Sequence, residues 1–191
     1  MRFHSRRLDH PNSLAHALHN RGICHQLGAD RDATLAAAQR GATLAEKFGL
    51  MQWRACNLLL VGWATGLRAD MSGAVRMIDA EIGNSAAVGP LPQYYLGLAA
   101  EVLLAAVRPS DGLAHLDRAI AGIDEPGVGF FLPKIYRLRG ECLLALSRDN
   151  KDDARSLFTT ARDIARRQGA AIAQSRIEAR LPELVNIRVG R

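Results

Sequence analysis

The sequence predicts an all-α fold, a right-handed superhelical solenoid of about four helix-turn-helix hairpins plus a C-terminal capping helix, on three observations. Hydrophobic residues make up 48% and charged residues 23% of 191 positions, the balance of a soluble domain large enough to bury a core. Aromatic residues are only 5% while alanine and leucine abound, which suits close-packed helices better than sheets. A motif also recurs at long period: Ala100-Glu101-Val102-Leu103-Leu104-Ala105 returns forty residues later as Gly140-Glu141-Cys142-Leu143-Leu144-Ala145. Gly22 and Gly62 stand at the matching place in two earlier units, so the four anchors are spaced 40, 38 and 40.

Each unit then follows in order. A first helix carries the anchor, over about Ser13 to Leu27, Met51 to Leu67, Pro92 to Val107 and Leu132 to Ser147. Pro92 and Pro133 fall in first turns, where the missing amide hydrogen has no helical partner to lose. Polar turns follow: Gly28-Ala29-Asp30, Arg68-Ala69-Asp70, Arg108-Pro109-Ser110-Asp111 and Arg148-Asp149-Asn150, whose Asp and Ser side chains can accept from the free amides of the next helix. Second helices are expected over Asp32 to Phe48, Ser72 to Ile82, Asp111 to Ile123 and Asp152 to Gln168, with Gly49, Gly83, Gly127 and Gly169 as left-handed stops. A ninth helix, about Ala171 to Val185, closes the array, and Pro182 is expected to kink or shorten it. The expected organisation is a flexible basic segment 1–10, one repeat domain 11–187 and a tail 188–191.

The small anchor has a physical reason. Two helices approach closely only where one lacks a bulky side chain, and glycine's propensity cost of about 0.8–1 kcal/mol requires a compensating contact, expected with the partner helix. Cys24 and Cys142 lie two residues after their anchors, where Ala64 and Val102 stand in the other units, and are expected in the core. The three cysteines, Cys24, Cys56 and Cys142, show no CxxC or Cys/His spacing, so reduced buried thiols are expected rather than a disulfide framework or zinc site.

The anchor, turn and alanine-bearing second helix together resemble a tetratricopeptide repeat, in a form longer than the usual length of about 34 residues. More narrowly, Gly112-Leu113-Ala114-His115-Leu116-Asp117-Arg118-Ala119-Ile120, then Tyr136-Arg137-Leu138-Arg139-Gly140-Glu141-Cys142-Leu143-Leu144, then Ala161-Arg162-Asp163-Ile164-Ala165-Arg166-Arg167-Gln168-Gly169-Ala170, resemble the C-terminal repeat region of large bacterial signalling proteins. In those proteins a nucleotide-cyclase or winged-helix output module and an ATPase module precede the repeats. This chain departs from them: it has no Gly-x-x-x-x-Gly-Lys-Ser/Thr loop and no cyclase or helix-turn-helix segment, so their activities do not carry over. The resemblance implies a sensing or recruiting region, as a fragment or as a free-standing relative.

In a stacked array of hairpins the first helices line the inner face, which makes their exposed residues the expected binding surface. With the anchor at the eighth position of the repeat, the inward positions are His16, His19 and Gln26, then Trp63, then Tyr94 and Glu101, then Lys134, Arg137 and Glu141. Rings supply contact area and Lys or Arg can grip a carboxylate, so such a groove suits a peptide or the end of a partner chain. Two assignments compete for Trp63 and Tyr94: groove lining, or packing between repeats. His16 and His19 share a helix face with His25 further on, but no carboxylate or thiolate completes a metal set, and groove-lining or solvated histidines are the better expectation. Glu101 and Glu141 could form an acid pair, yet repeat equivalence explains them without catalysis.

The formal charge is +6, and only Lys47, Lys134 and Lys151 are lysines among 25 basic residues. The arginines are interleaved with acids, as on solvated helix faces. The densest basic group, Arg155, Arg162, Arg166, Arg167, Arg176 and Arg180, is expected to be the wet face of the end cap, with an acidic partner or the phosphate backbone of a nucleic acid as the alternative. Leu181, Leu184 and Val185 could seal against a second copy and give a homodimer. The segment Met1 to Leu8 is basic with no apolar run behind it, and no window approaches the roughly 18 apolar residues of a membrane span, so a cytoplasmic location is expected. The expectation is therefore a non-catalytic interaction or sensory scaffold for a protein or peptide, or for other domains of a larger regulator. It needs no cofactor or metal.

Overall fold

A computed structural model describes residues 10–66, 71–83, 92–122 and 128–186. These are helical throughout, with no strand among the described residues: α1 (Pro11–Leu27), α2 (Arg31–Lys47), α3 (Met51–Gly66), α4 (Met71–Gly83), α5 (Pro92–Ala105), α6 (Pro109–Ala121), α7 (Leu132–Leu146), α8 (Lys151–Gln168) and α9 (Ala171–Asn186). Single 3-10 turns, Val128–Phe131 and Arg148–Asn150, precede α7 and α8. Pro11, Pro109 and Pro133 sit in first turns as helix starters. Asp30 is the N-cap of α2, its carboxylate accepting from Ala33 N at 3.0 Å.

Helix ends repeat one hydrogen-bond pattern. After α1, α2, α5 and α8 the chain closes with an amide bonded five residues back: Asp30 N to His25 O, Leu50 N to Ala45 O, Arg108 N to Leu103 O and Ala170 N to Ala165 O, at 2.8–3.0 Å. The residue before each of those amides is left-handed, as this motif requires. Gly49 (φ +66°) and Gly169 (φ +65°) occupy it at no cost, but Ala29 (φ 61°) and Val107 (φ 58°) stand seven residues after their anchors in the same conformation. A β-branched residue there is strained, and Val107 is also 85% exposed, so nothing is gained by its side chain. Val107→Gly is expected to raise stability by about 1 kcal/mol, measurable as a higher urea midpoint; an unchanged or lower midpoint refutes the strain argument. Of the other expected stops, Gly83 ends α4 and Gly127 lies outside the described residues. α9 runs past Pro182 to Asn186, so that proline does not end the helix.

Each helix packs on its neighbours in the chain, and the odd-numbered helices also pack on one another, α1 on α3, α3 on α5, α5 on α7 and α7 on α9. The main core lies around α3 and α5, and α5 is buried from Gln93 to Ala100 because its sequence is apolar on every side. A second, smaller core joins α8 and α9 through Ala154, Phe158, Ala161, Ala165 and Ile177, with Tyr136 and Leu144 of α7 against it.

The anchors act through close approach, with two departures from expectation. A Cβ on Gly140 would lie 3.2 Å from the Phe158 ring and 3.3 Å from Ala154 O, so α7 and α8 meet there as expected. On Gly22 it would meet Leu60 of α3 at 2.8 Å, so that anchor serves the next odd helix instead of its hairpin partner. In the third unit, where the anchor is Ala100, the glycine is on the partner helix: a Cβ on Gly112 would stand 3.5 Å from Ala100 O and 3.1 Å from Cys142 Sγ.

That last contact explains a correction. Cys142 is buried because the position two after the anchor faces the preceding second helix, here α6. Among the described residues α1 has no preceding helix, and Cys24 is exposed rather than in the core. Cys56 is buried as expected, and all three cysteines are free thiols.

Candidate functional site

The inward positions of four odd helices converge on one carboxylate. Glu101 of α5 receives the Trp63 ring N–H from α3 at 3.0 Å, the Gln26 amide from α1 at 3.4 Å and the Lys134 ammonium from α7 at 2.9 Å, all on Oε2. Tyr94 donates its hydroxyl to Gln26 Oε1 at 2.9 Å, and the Lys134 ammonium lies 5.6 Å from the centre of the Tyr94 ring. One helical turn along, Arg137 pairs with Glu141 at 2.7 Å, with Arg180 of α9 at 3.8 Å from the same oxygen.

The groove expected from sequence is thus largely filled by its own side chains. Trp63 and Tyr94 are each 1% exposed, and His19 and Gln26 are equally buried. α1 reaches α5, since Gln26 bonds Tyr94 and His19 bonds the Tyr95 hydroxyl at 2.8 Å. Packing is therefore where the structure puts Trp63 and Tyr94, with the polar end of each ring satisfied inside. His16 is exposed and stacks on Trp53 at 4.4 Å, and Trp53 donates to Asn12 at 2.6 Å. His25 accepts from Arg21 on the outer side. Among the described residues no cluster of His, Cys, Asp or Glu could hold a metal ion.

Charge inside this network follows from burial. Burial alone would raise the Glu101 carboxyl, but Lys134, Arg137 and the Trp63 N–H outweigh it and hold it below the ordinary carboxylate range. Burial pulls the Lys134 ammonium below the ordinary amine range, Glu101 opposing and Arg137 and Arg176 adding to it. Burial pushes the Cys142 thiol up to about 12, with Glu141 adding, so it is a protonated thiol at neutral pH.

Burial, with the His16 charge beside it, depresses His19 to about 4 from an ordinary 6.5. Between those values the unfolded chain binds a proton that the folded chain refuses, so stability falls as pH drops from 6.5 towards 4. The loss is expected to reach about 3 kcal/mol at acid pH. His19→Gln, followed by urea unfolding at several pH values, should flatten that dependence; an unchanged slope would show that His19 is not its source.

A half-enclosed cavity of about 430 Å³ lies at the α7–α9 end. Its walls come from Leu27 at the end of α1, Phe130 and Phe131 of the 3-10 turn, Pro133, Lys134 and Arg137 of α7, and Ala171, Ile172, Arg176 and Ile177 of α9. Lys134 and Arg137 are the sequence-derived site residues that reach it. Arg176, Phe131 and Ile172 were not read as site residues. Arg176 had stood among the wet-face arginines, and nothing in the sequence shows that α9 folds back beside Leu27.

Four members of that basic group are paired: Arg155 with Asp152, Arg162 with Asp163, Arg166 with Glu178 and Arg180 with Glu141. Leu181 packs against the smaller core, while the side chains of Leu184 and Val185 lie outside the described residues. No described helix is long and apolar enough to cross a membrane. No protein-family model matches the chain, and neither a curated protein nor a solved structure matches it.

Proposed function

We propose that this chain is a non-catalytic interaction or sensory scaffold, a right-handed superhelix of about four tetratricopeptide-like hairpins, whose binding event takes place at the α7–α9 end of the odd-helix face. The repeated hairpins and the contact of each odd helix with the next support the architecture, because arrays of this kind present one helix of every pair on a common face. The observation that carries the binding reading is the cavity beside Lys134 and Arg137, a place where this face stays open. Phe130 and Ile172, 58% and 60% exposed, stand at its wall and offer apolar contact to a peptide or partner domain. The resemblance to repeat regions of bacterial regulators favours signalling or transcription control inside the cell as the setting.

Capture from cell extract tests this. The intact chain is compared with a Phe130→Ala, Ile172→Ala double variant, whose fold is checked by circular dichroism and whose bound proteins are identified by mass spectrometry. Exposed positions are chosen because truncating buried Tyr94 would disturb the core. A specific partner held by the intact chain and lost by the folded variant supports the reading. The same proteins on both, or none on either, rejects it.

A further inference from the structure

The α7–α9 cavity has a donor-rich, acceptor-poor wall. Its polar side chains are Lys134, Arg137, Arg176 and Gln168, and the Gln168 amide nitrogen already donates to Gly129 O at 2.6 Å. Apart from the Gln168 amide oxygen, three cations thus face a mostly apolar space. A sugar needs several acceptors for its own O–H groups, and among these side chains the Gln168 oxygen is the acceptor. A ligand that only accepts, on an apolar body, matches them.

The charge balance narrows the class. Lys134 is offset by Glu101 at 2.9 Å and Arg137 by Glu141 at 2.7 Å, whereas Arg176 has no carboxylate partner among the described residues. Among the described residues the wall thus carries one uncompensated positive charge, suited to a monoanion rather than a phosphorylated ligand of higher charge. Ala170 to Ala173, where α9 begins, border the same space, and the positive end of a helix dipole acts in the same sense. Leu27, Phe131, Ile172 and Ile177 provide the apolar remainder, and about 430 Å³ is within the range of small-molecule sites.

We propose that this cavity binds a small monocarboxylate with an apolar body, its carboxylate held by Arg176 with Lys134 and Arg137 beside it and its apolar part seated between Phe131 and Ile177. The assignment rests on the scaffold reading in taking this end of the odd-helix face as the binding end, and it gives that end a sensory ligand. Guanidinium–carboxylate pairing is bidentate and directional, so Arg176 orients the ligand as well as attracting it.

Sodium octanoate is the probe, titrated into the full chain by isothermal calorimetry at neutral pH, with 1-octanol as its uncharged counterpart. Saturable octanoate binding is expected, with 1-octanol at least about tenfold weaker. Arg176→Ala, which removes a partly exposed side chain without stranding a carboxylate, should weaken octanoate binding about tenfold. Arg176→Lys should recover part of that loss. No saturable octanoate binding, equal affinity for 1-octanol, or an unchanged affinity in folded Arg176→Ala overturns the proposal. If octanoate fails while the Phe130→Ala, Ile172→Ala variant still loses a captured protein, the carboxylate assignment falls and the scaffold reading stands.

Discussion

Glu101→Ala should lower the unfolding free energy by about 3–5 kcal/mol, seen as a large drop in the urea midpoint. The carboxylate it removes is the counter-charge of a buried ammonium and the acceptor for the Trp63 N–H, so both partners would be left without their bond. Glu101→Gln should cost less, because an amide oxygen still accepts from Trp63 although it no longer offsets Lys134. The double variant Glu101→Ala, Lys134→Met should recover much of the loss, since it removes the stranded charge together with its partner. A single-variant cost within about 0.5 kcal/mol, the range of ordinary surface substitutions, would mean that the network carries little of the stability. The acid limb has a defined sign as well. The folded-state value of Glu101 is depressed, so its contribution is fully present above the ordinary carboxylate value of 4.5 and is lost as pH falls through the lower folded value.

Phe158→Ala should cost about 3–5 kcal/mol and should also divide the unfolding transition. Phe158 is wholly buried in the smaller core, which contains Ile177 of α9 and three small residues of α8, so little else can fill the space. The larger core does not include that ring. In the variant, hydrogen exchange over 171–181 should reach the unprotected rate at lower urea than exchange over 55–64. Coincident transitions for both segments would show that the two cores unfold as one unit.

The helices of the described residues were legible because their ends are written in local chemistry: Pro92 and Pro133 at starts, Asp30 as a cap, Gly49 and Gly169 at left-handed stops. Where the third unit uses Val107 at such a stop, the expected helix ran two residues too long, since nothing in a valine announces positive φ. The repeat register named Gln26, Trp63, Glu101 and Lys134, one from each of α1, α3, α5 and α7, and these four side chains meet at the Glu101 carboxylate. How closely α1 approaches α5 was not legible. The positions drawn as a groove from register alone are buried at Tyr94 and Trp63. End effects were equally hidden. Cys24 and Cys142 hold one register position, but only Cys142 has a preceding helix to cover it.

Linear repeat proteins tolerate the gain or loss of a unit because each one touches only its neighbours. Here Gln26 bonds Tyr94 and Glu101 at separations of 68 and 75 residues, and His19 bonds Tyr95 at 76. Those ties make the number of hairpins a closed quantity: inserting or deleting a unit between α1 and α5 would carry the first helix away from its bonding partners on the third hairpin. They also place loop closure across more than a third of the chain on the folding route, which slows folding relative to an array built from adjacent contacts alone.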